Sequence, residues 1–247
     1  MKKKITIAID AMGGENSPDK ILKAVSLFNK KNNSKEDYVL HLFGDEKLIK
    51  AKLDEANVSN NKIIVTHTES IVSDEDSPLT AIKNSKNTSM WNCIQSQING
   101  NSDISLSAGN TGVLLVISRM ILKMMNKVNR PALAGLWPNQ KGMNVVLDLG
   151  ANIECSEDNL VDFAELGSAL YKSIFPEDKP IVSLLNIGSE EIKGTDVLKN
   201  AFKKLSSLSS ENNFKFNGYI EGNKIMSGES NVIVTDGFSG NIALKTA

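Results

Sequence analysis

Short apolar stretches alternate with amphipathic stretches along the whole of this 247-residue chain, and this order constrains its fold more than any other feature. Residues 5–9 are mostly β-branched, which favours a strand, whereas residues 18–31 repeat apolar side chains at helical spacing. A strand that reads as a continuous apolar run is typical of a parallel sheet, because such a strand is buried on both faces. The alternation therefore predicts an α/β fold, in which helices cover both faces of a mostly parallel sheet.

The same reasoning assigns elements to the rest of the chain. Strands are predicted at residues 5–9, 38–43, 63–68, 104–107, 132–137, 144–149, 181–186, 218–220 and 232–235. Helices are predicted at residues 18–31, 45–56 (with Asp45 as N-cap), 85–98, 111–125, 157–174 and 195–208, with one more beginning near Gly240. The length allows one large domain or two lobes that share a sheet. Because no linker is evident, the sequence predicts a single domain over residues 1–247, built on one sheet.

The composition excludes several classes of function. A net charge of −1 and a pI of about 6.2 give no general basic surface, so we expect no nucleic-acid partner. Cys93 and Cys155 form neither a CxxC pair nor a disulfide framework, which favours a reducing cytosol. The most apolar stretch, residues 112–125, is shorter than the roughly 20 residues that span a bilayer. His41 and His67 lack the spacing of a metal site, so no metal is predicted.

Five predicted turns after strands share a composition of glycine mixed with Asp, Asn, Ser or Thr. They cover residues 10–14, 107–112, 148–152, 186–190 and 235–241. In a parallel sheet such turns lie at the carboxyl edge, where ligands bind. Glycine lets the backbone approach a ligand closely, and N–H groups at a helix N-terminus attract anions. The five turns together predict a phosphate-binding crevice at one sheet edge, although none is a dinucleotide fingerprint or a P-loop.

The turn at residues 107–112 is the strongest phosphate candidate, because it joins a strand directly to an apolar helix. Asn110 and Thr111 stand at the mouth of that helix. Either residue can be a simple N-cap, a phosphate ligand or both.

Charged residues beside the other turns each have a structural interpretation and a functional one. Lys193 precedes a predicted helix, so it is either a solvated lysine or a phosphate contact. Asp10, Asp148 and Asp236 end strands close to glycines, where a carboxylate starts a turn, orients a ligand, holds a cation or acts as a base. Arg130 begins a predicted strand, which places it at the opposite edge, in a structural or dimer contact. Cys155 lacks a nearby histidine that would activate it as a nucleophile.

These turns resemble, in the same order, the signatures of the phosphate acyltransferase PlsX family. The matching blocks are Asp10-Ala-Met-Gly-Gly-Glu-Asn16, Ser107-Ala-Gly-Asn-Thr-Gly112, Arg130-Pro-Ala-Leu-Ala134, Asp148-Leu-Gly-Ala-Asn152, Leu185-Asn-Ile-Gly188, Glu190-Glu-Ile-Lys-Gly194, Glu221-Gly222 and Thr235-Asp-Gly-Phe-Ser-Gly-Asn-Ile-Ala-Leu-Lys-Thr246. They extend over the whole chain, and together they are highly specific.

The resemblance implies a three-layer α/β/α fold with a mostly parallel sheet, similar to phosphotransacetylases and isopropylmalate dehydrogenases. It implies transfer of a fatty acyl group from acyl carrier protein to inorganic phosphate, which gives acyl phosphate for phospholipid synthesis. It also implies a homodimer without a cofactor, cytoplasmic or peripheral at the inner face of the membrane, upstream of a glycerol-3-phosphate acyltransferase. Family members typically continue beyond the position of Lys245, so the resemblance predicts that a C-terminal part is missing.

The expected chemistry is direct attack of phosphate on the thioester, which requires mainly positioning and oxyanion stabilisation. The predicted catalytic residues are Asp10, Asn110, Lys193, Asp236 and Asn241. The predicted substrate-binding residues are Gly13, Gly14, Ser107, Gly109, Thr111, Gly112, Asn152, Asn186, Gly188, Gly237, Gly240 and Lys245. In this hypothesis residues 109–112 hold phosphate and Lys193 offsets its charge. Asn152, Asn186 or Asn241 donates to the thioester oxygen. Asp236 or Asp10 orients phosphate or accepts its proton.

Two other functions stay open at this point. A phosphotransacetylase that uses acyl-coenzyme A has the same chemistry, and donor preference distinguishes it. An inactive fragment that only binds carrier protein or a dimer partner is the second alternative, and a cooperative melt is the first test of an intact domain. A dehydrogenase is a weaker alternative, because the cofactor fingerprint is missing.

Overall fold

The computed structural model describes residues 4–32, 38–58, 60–73, 76, 83, 85–176, 179–208 and 214–247. The chain divides into two compact units, Met1–Lys123 and Met124–Ala247. Each unit contains its own hydrogen-bonded sheet. The prediction that all strands belong to one sheet is therefore wrong.

The first unit is built on a four-stranded parallel sheet. Its strands are β1 (Ile5–Asp10), β2 (Tyr38–Gly44), β3 (Ile63–His67) and β4 (Ile104–Leu106), in the order β3-β2-β1-β4. Its described helices are α1 (Asp19–Asn32), α2 (Glu46–Glu55), α3 (Ser89–Ile98) and α4 (Thr111–Leu122), with a 3-10 turn at Asn60–Lys62.

Helices cover both faces of this sheet. Successive side chains of a strand point to opposite faces, so β1 contributes to two clusters. Ile7 and Ile9 pack in the cluster that contains residues of α1 and α2. Ala8, between them, packs with Phe43 and with Cys93 of α3. The first unit therefore has three layers.

The second unit is built on a five-stranded mixed sheet. Its strands are β5 (Ala134–Asn139), β6 (Gly142–Leu147), β7 (Ile181–Asn186), β8 (Lys215–Glu221) and β9 (Val232–Val234), in the order β5-β6-β9-β7-β8. Only the edge pairing of β5 with β6 is antiparallel within this sheet. Its described helices are α5 (Glu157–Ile174), α6 (Asp196–Leu208) and α7 (Gly237–Thr246), with a 3-10 turn at Gly222–Ser227.

This sheet too is covered on both faces. Val145 and Leu147 of β6 pack in the cluster that holds Phe163 of α5. Val146, which points the other way, packs in a cluster with Ile225 and, at its margin, Ala243 of α7. The prediction of a mostly parallel, three-layer α/β architecture is confirmed for each unit.

Local capping explains where several helices differ from the predicted bounds. The helix predicted from residue 85 begins at Ser89, because the Thr88 hydroxyl caps it by accepting from Trp91 N. The helix predicted to residue 125 ends at Leu122, where Lys123 takes a positive φ of 66°.

The last helix begins at Gly237 rather than near Gly240, because Asp236 is its N-cap. The predicted bounds of β5 and β6 differ from the observed ones by two residues, because the strands form an antiparallel hairpin that pairs Asn139 with Gly142 and Ala134 with Leu147. One consequence is that Asp148 and Leu149 lie beyond β6, in the turn that follows it. None of the described helices has the length and apolar character needed to cross a bilayer.

Candidate active site

The first unit brings Asp10 and Ser107 together at the carboxyl ends of β1 and β4. These strands are paired in parallel, so their ends lie side by side. The Ser107 hydroxyl donates to Asp10 Oδ2 at 2.7 Å, and Met12 N donates to Asp10 Oδ1 at 3.3 Å. Ser107 Oγ in turn accepts from Gly109 N at 3.1 Å. The Asp10 carboxylate thus orients the Ser107 hydroxyl, which in turn holds the backbone of the following loop at Gly109.

Glycine is required where the two loops of the first unit meet. A Cβ on Gly13 would collide with the carboxylate of Asp10 and lie 2.9 Å from Ser107 Oγ. Gly14 has a φ of +86°, and a Cβ there would collide with the carbonyl oxygen of Ala108. Gly109 lies against Gly13 in the same contact. The sequence prediction thus named residues that the structure places in direct contact.

Asn110 is the N-cap of α4. Its Oδ1 accepts from Val113 N at 3.1 Å, and its Nδ2 donates to the carbonyl oxygen of Asp76 at 3.2 Å. The capping interpretation is therefore confirmed for Asn110, whereas Thr111 is the first helical residue. The N–H groups of Thr111 and Gly112 belong to the first turn, which has no intrahelical acceptors. We call residues 107–112 the Ser107 turn.

In the second unit, Asp148 is the centre of the turn after β6; the sequence marked it as a strand-ending carboxylate, but it is not among the predicted catalytic or substrate-binding residues. Its side chain is fully buried. Oδ1 accepts from Leu133 N at 3.0 Å, Gly150 N at 3.2 Å and Ala151 N at 2.9 Å. Oδ2 accepts from the backbone N and the Nδ2 of Asn152, at 2.7 and 2.8 Å. Five donors thus hold one carboxylate, and we call residues 148–152 the Asp148 turn.

The start of α7 packs directly on the Asp148 turn. Gly237 N donates to Asn152 O at 2.7 Å, and a Cβ on Gly237 would lie 2.5 Å from that oxygen. A Cβ on Gly240 would collide with the carbonyl oxygen of Asp148. Asn241 Nδ2 donates to Leu149 O at 3.3 Å. The predicted residues Asn152, Gly237, Gly240 and Asn241 therefore form one cluster.

Asp236 has both carboxylate oxygens engaged by one residue. Oδ1 accepts from Ser239 N at 2.8 Å, and Oδ2 accepts from the Ser239 hydroxyl at 3.0 Å. This is a helix N-cap, so the structure gives Asp236 a defined local role. Lys245, two turns further along α7, is exposed.

Asn186, Gly188 and Lys193 form a further group after β7. Asn186 Oδ1 accepts from Ile187 N at 2.9 Å, and its Nδ2 donates to Lys193 O at 3.2 Å. A Cβ on Gly188 would lie 2.7 Å from Glu190 Oε2. The Lys193 side chain is exposed. The asparagine therefore closes a loop that presents the lysine to solvent.

The remaining polar candidates have structural contacts. Arg130 does not begin a strand, because β5 starts at Ala134; its Nη1 instead donates to Glu154 O at 2.9 Å. Burial raises the pKa of Cys93 to about 12 and that of Cys155 to about 11. Both thiols are therefore neutral near pH 7, which does not favour a nucleophilic role. In the part of the chain that the structure describes, no group of three or more His, Cys, Asp or Glu side chains is arranged to hold a metal ion.

The five predicted turns thus belong to two sheets. Residues 10–14 and 107–112 meet in the first unit, and residues 148–152 and 235–241 meet in the second. The prediction of one shared sheet edge is wrong, because strand pairing between distant segments is not encoded in local composition. The sequence signal for Asp148 was its place at the end of an apolar strand, two residues before Gly150, which is the kind of signal that also marked Asp10.

Comparison with known proteins gives consistent matches over the full chain. The model of a family described as fatty acid synthesis protein matches residues 5–247. A phosphate acyltransferase of Pelagibacter ubique is 53% identical over 247 residues, which are 100% of this chain and 72% of that protein. One of Maricaulis maris is 41% identical over 243 residues, 98% of this chain and 68% of that protein.

Solved structures match the fold. The EutD phosphotransacetylase from Staphylococcus aureus has a TM-score of 0.69 at 17% identity, covering 100% of this chain and 82% of its own. A phosphotransacetylase from Streptococcus pyogenes has a TM-score of 0.69 at 14% identity, covering 99% and 81%. At these identities the likeness concerns the fold alone.

Proposed function

The chain belongs to the fatty acid synthesis protein family, and from that premise we propose that it transfers a fatty acyl group from acyl carrier protein to inorganic phosphate. It is an acyltransferase, since proteins named phosphate acyltransferase match it over nearly its whole length at 53% and 41% identity. The carrier-protein donor and the use of acyl phosphate in phospholipid synthesis are the proposed part.

The Ser107 turn carries the proposal for phosphate. It enters α4, whose N-terminal N–H groups and dipole favour an anion. Asp10 and Ser107 fix its first half by the bonds described above, and Asn110 fixes its second half as the N-cap. A turn held at both ends is preorganised for its ligand, so little is lost when phosphate binds.

Positioning is the main catalytic requirement in this proposal. Phosphate is a nucleophile at neutral pH and a thioester is a reactive donor, so the reaction consists of phosphate oxygen attacking the carbonyl and the carrier thiolate leaving. Bringing the two reactants into contact is worth about 7–11 kcal/mol of the barrier in well-oriented systems. We assign Asp10 to positioning, because its oxygens already accept from Ser107 and Met12. Asn110, Thr111 and Gly112 contact the phosphate in this proposal.

For residues of the second unit we propose roles in substrate recognition, without assigning them to a step of the reaction. Lys193 is exposed and cationic, and we propose that it interacts with an anionic part of a substrate. Asn241 lies beside the N-terminus of α7, where its Nδ2 donates to Leu149 O, and we propose that its amide also recognises the acyl donor. Asn152 is assigned to holding the Asp148 turn, because both hydrogens of its Nδ2 are engaged, by Pro131 O and Asp148 Oδ2. Asp236 is assigned to capping of that helix. Homodimer formation, cytoplasmic location and peripheral membrane contact near a glycerol-3-phosphate acyltransferase are further parts of the proposal.

The test is phosphate-dependent release of carrier-protein thiol from a long-chain acyl carrier protein, with acyl-coenzyme A as the alternative donor. In Asn110→Asp the cap acceptor is kept, since Asp and Asn cap equally well, but a negative charge is added to the turn. We expect the KM for phosphate to rise at least tenfold, a change of about 1.4 kcal/mol, while stability falls by about 1–2 kcal/mol because the donor to Asp76 O is lost. Asn110→Ser, which loses the same donor to Asp76 O but caps the helix without a charge, is the matched control.

The outcomes separate the parts of the proposal. No release with either donor from folded protein would sink the acyl transfer itself. Faster release from acyl-coenzyme A would favour a phosphotransacetylase. Release with an unchanged phosphate KM in Asn110→Asp would remove the Ser107 turn as the phosphate site.

A further inference from the structure

The first unit contains an apolar pocket between α1 and the sheet, with a volume of about 360 Å³. The sheet side is formed by residues that include Ile9 of β1 and Leu106 of β4, and the helix side by residues that include Ile21 and Phe28 of α1. Ligand pockets of roughly 300–1,000 Å³ with apolar walls and few polar groups are typical of small-molecule sites. Its size and lining therefore suit a ligand that is mostly hydrocarbon.

The polar end of the pocket coincides with the proposed phosphate site. Asp10 and Ser107 line the pocket together with the apolar residues that directly precede them, Ile9 and Leu106. Each member of the hydrogen-bonded Asp10–Ser107 pair therefore directly follows an apolar residue of the pocket wall. A ligand that lies along the walls therefore points one end at that turn.

The part of the pocket wall that is exposed to solvent is also apolar. Phe28 and Leu106 keep 42% and 50% of their surface exposed, although both line the pocket. Ala24 lies on the same face of α1 as Ile21 and Phe28, at helical spacing of three and four residues, and its small side chain leaves space at the wall. Covering these side chains with an alkyl chain removes apolar surface from water, which is favourable.

We propose that this pocket binds the alkyl chain of the acyl donor, with the carbonyl end directed toward the Ser107 turn. This proposal rests on the proposed function, and it specifies where in the first unit the acyl chain binds. It predicts that affinity rises with chain length until the pocket is filled, by roughly fourfold for each methylene that is buried.

The first experiment is independent of turnover. Hexadecanoic acid with a diazirine on its chain is photolysed with the full chain, and the labelled peptides are mapped. Label is expected within the elements that line the pocket, α1, β1, β2 and β4. Ala24→Trp, which fills the wall, is expected to reduce that label at least tenfold. Ala51→Trp, an equal change at an exposed position of α2, is the matched control and is expected to leave it unchanged.

The second experiment compares donors that carry butanoyl and hexadecanoyl groups. In Ala24→Trp the KM for the hexadecanoyl donor is expected to rise at least tenfold while that for the butanoyl donor is unchanged. Equal effects on both donors, or none, would overturn the pocket proposal while leaving acyl transfer intact. Labelling outside the elements that line the pocket, α1, β1, β2 and β4, would overturn it even in a protein with no turnover. A dimer that Ala24→Trp dissociates, without label in the pocket, would assign the face to self-association instead.

Discussion

Asp10 in the first unit is the last residue of β1 and Asp148 in the second directly follows β6, but different partners surround their carboxylates. Asp148 accepts hydrogen bonds from five N–H groups of Leu133 and the Asp148 turn. Asp10 accepts from the Ser107 hydroxyl and from Met12 N. Both are almost completely inaccessible to solvent. Burial and position in the fold therefore do not distinguish them, whereas hydrogen bonding does.

The difference indicates two kinds of buried charge. A carboxylate held by five donors determines the shape of its own turn, so its loss leaves several buried N–H groups without an acceptor. The Asp10 carboxylate instead orients the Ser107 hydroxyl, and the oxygen of that hydroxyl accepts a hydrogen bond from Gly109 N. Asp10 therefore affects the position of the turn through Ser107. We therefore expect Asp148 to control stability and the Asp10–Ser107 pair to control activity.

Asp148→Asn is expected to have the largest effect, a loss of about 3 kcal/mol or more in the free energy of unfolding of the second unit. The asparagine amide has one acceptor oxygen, and its NH2 group would face N–H donors. Urea unfolding followed by Trp137 fluorescence measures this, because Trp137 is 6% exposed in the second unit. Trp91→Phe removes the other tryptophan, so that the signal has a single source.

Asp236→Asn is the matched control in the same unit. It removes the same charge, but asparagine caps a helix as well as aspartate does, so the cost is expected to stay below about 1 kcal/mol. If Asp148→Asn and Asp236→Asn lose the same unfolding free energy, the five hydrogen bonds to Asp148 do not stabilise the second unit more than the helix cap at Asp236 does.

Ser107→Ala tests the other side of the comparison. It removes the hydroxyl between Asp10 and Gly109 N, so the Ser107 turn loses its alignment. Misplacement by about 1 Å can cost about a hundredfold in rate, and we expect a loss of that order in kcat/KM for phosphate. The stability of the first unit, measured by Trp91 fluorescence in Trp137→Phe, is expected to fall by less than about 2 kcal/mol.

Ser105→Ala is the control for that variant. Ser105 lies two residues earlier on β4, and its hydroxyl donates to Cys93 O and Gln97 Oε1, away from the turn. We expect a similar small loss of stability without loss of turnover. A comparable drop in activity for both variants would show that Ser107 acts only through general stability.

Local signals explain the elements that were predicted closely. Helix α5 was predicted at its observed bounds, because Ser156 and Asn159 form a capping box at its start. Strand β7 was also predicted at its observed bounds, since four of the five residues before Asn186 are apolar and Ser183 alone interrupts them. Strand β8 was predicted too short, because Gly218, at a φ of +77°, and polar neighbours interrupt its pattern.

Long-range pairing explains what the sequence did not predict. The division into two sheets depends on which strands pair, and single-sequence patterns do not contain that information. The role of Asp148 depends partly on Leu133 N, which is 15 residues away in the chain. The contact of Asp10 with Ser107 joins residues 97 apart, so only the composition of the two turns could suggest it.

Gly240→Ala is expected to destabilise the second unit by about 1–3 kcal/mol, because the added methyl group would collide with the backbone oxygen of Asp148. Gly222→Ala is the control, since Gly222 has no neighbouring atom within 4 Å of an added Cβ. Its effect is expected to be within about 0.5 kcal/mol. A small effect at Gly240 would show that α7 can move away from the Asp148 turn, and would weaken the contrast between the units.

The two cysteines give the smallest expected effect, one in each unit. Burial raises the pKa of Cys93 to about 12 and, because its thiol is less enclosed, that of Cys155 to about 11. Both thiols are therefore expected to react with iodoacetamide at pH 8 at least a hundredfold more slowly than in urea, where a free cysteine has a pKa of about 8.5. Cys155 is expected to react before Cys93, and mass spectrometry of timed samples measures this order.

The same pKa values predict how stability depends on pH. Between about pH 8.5 and the folded-state pKa, the unfolded thiol has lost its proton while the folded thiol keeps it, so stability falls as pH rises. Cys93→Ala is expected to reduce the slope of unfolding free energy against pH in the first unit, and Cys155→Ala in the second, with turnover unchanged at pH 7. A steeper slope in either variant, or rapid alkylation of Cys93, would contradict the burial that separates the two thiols.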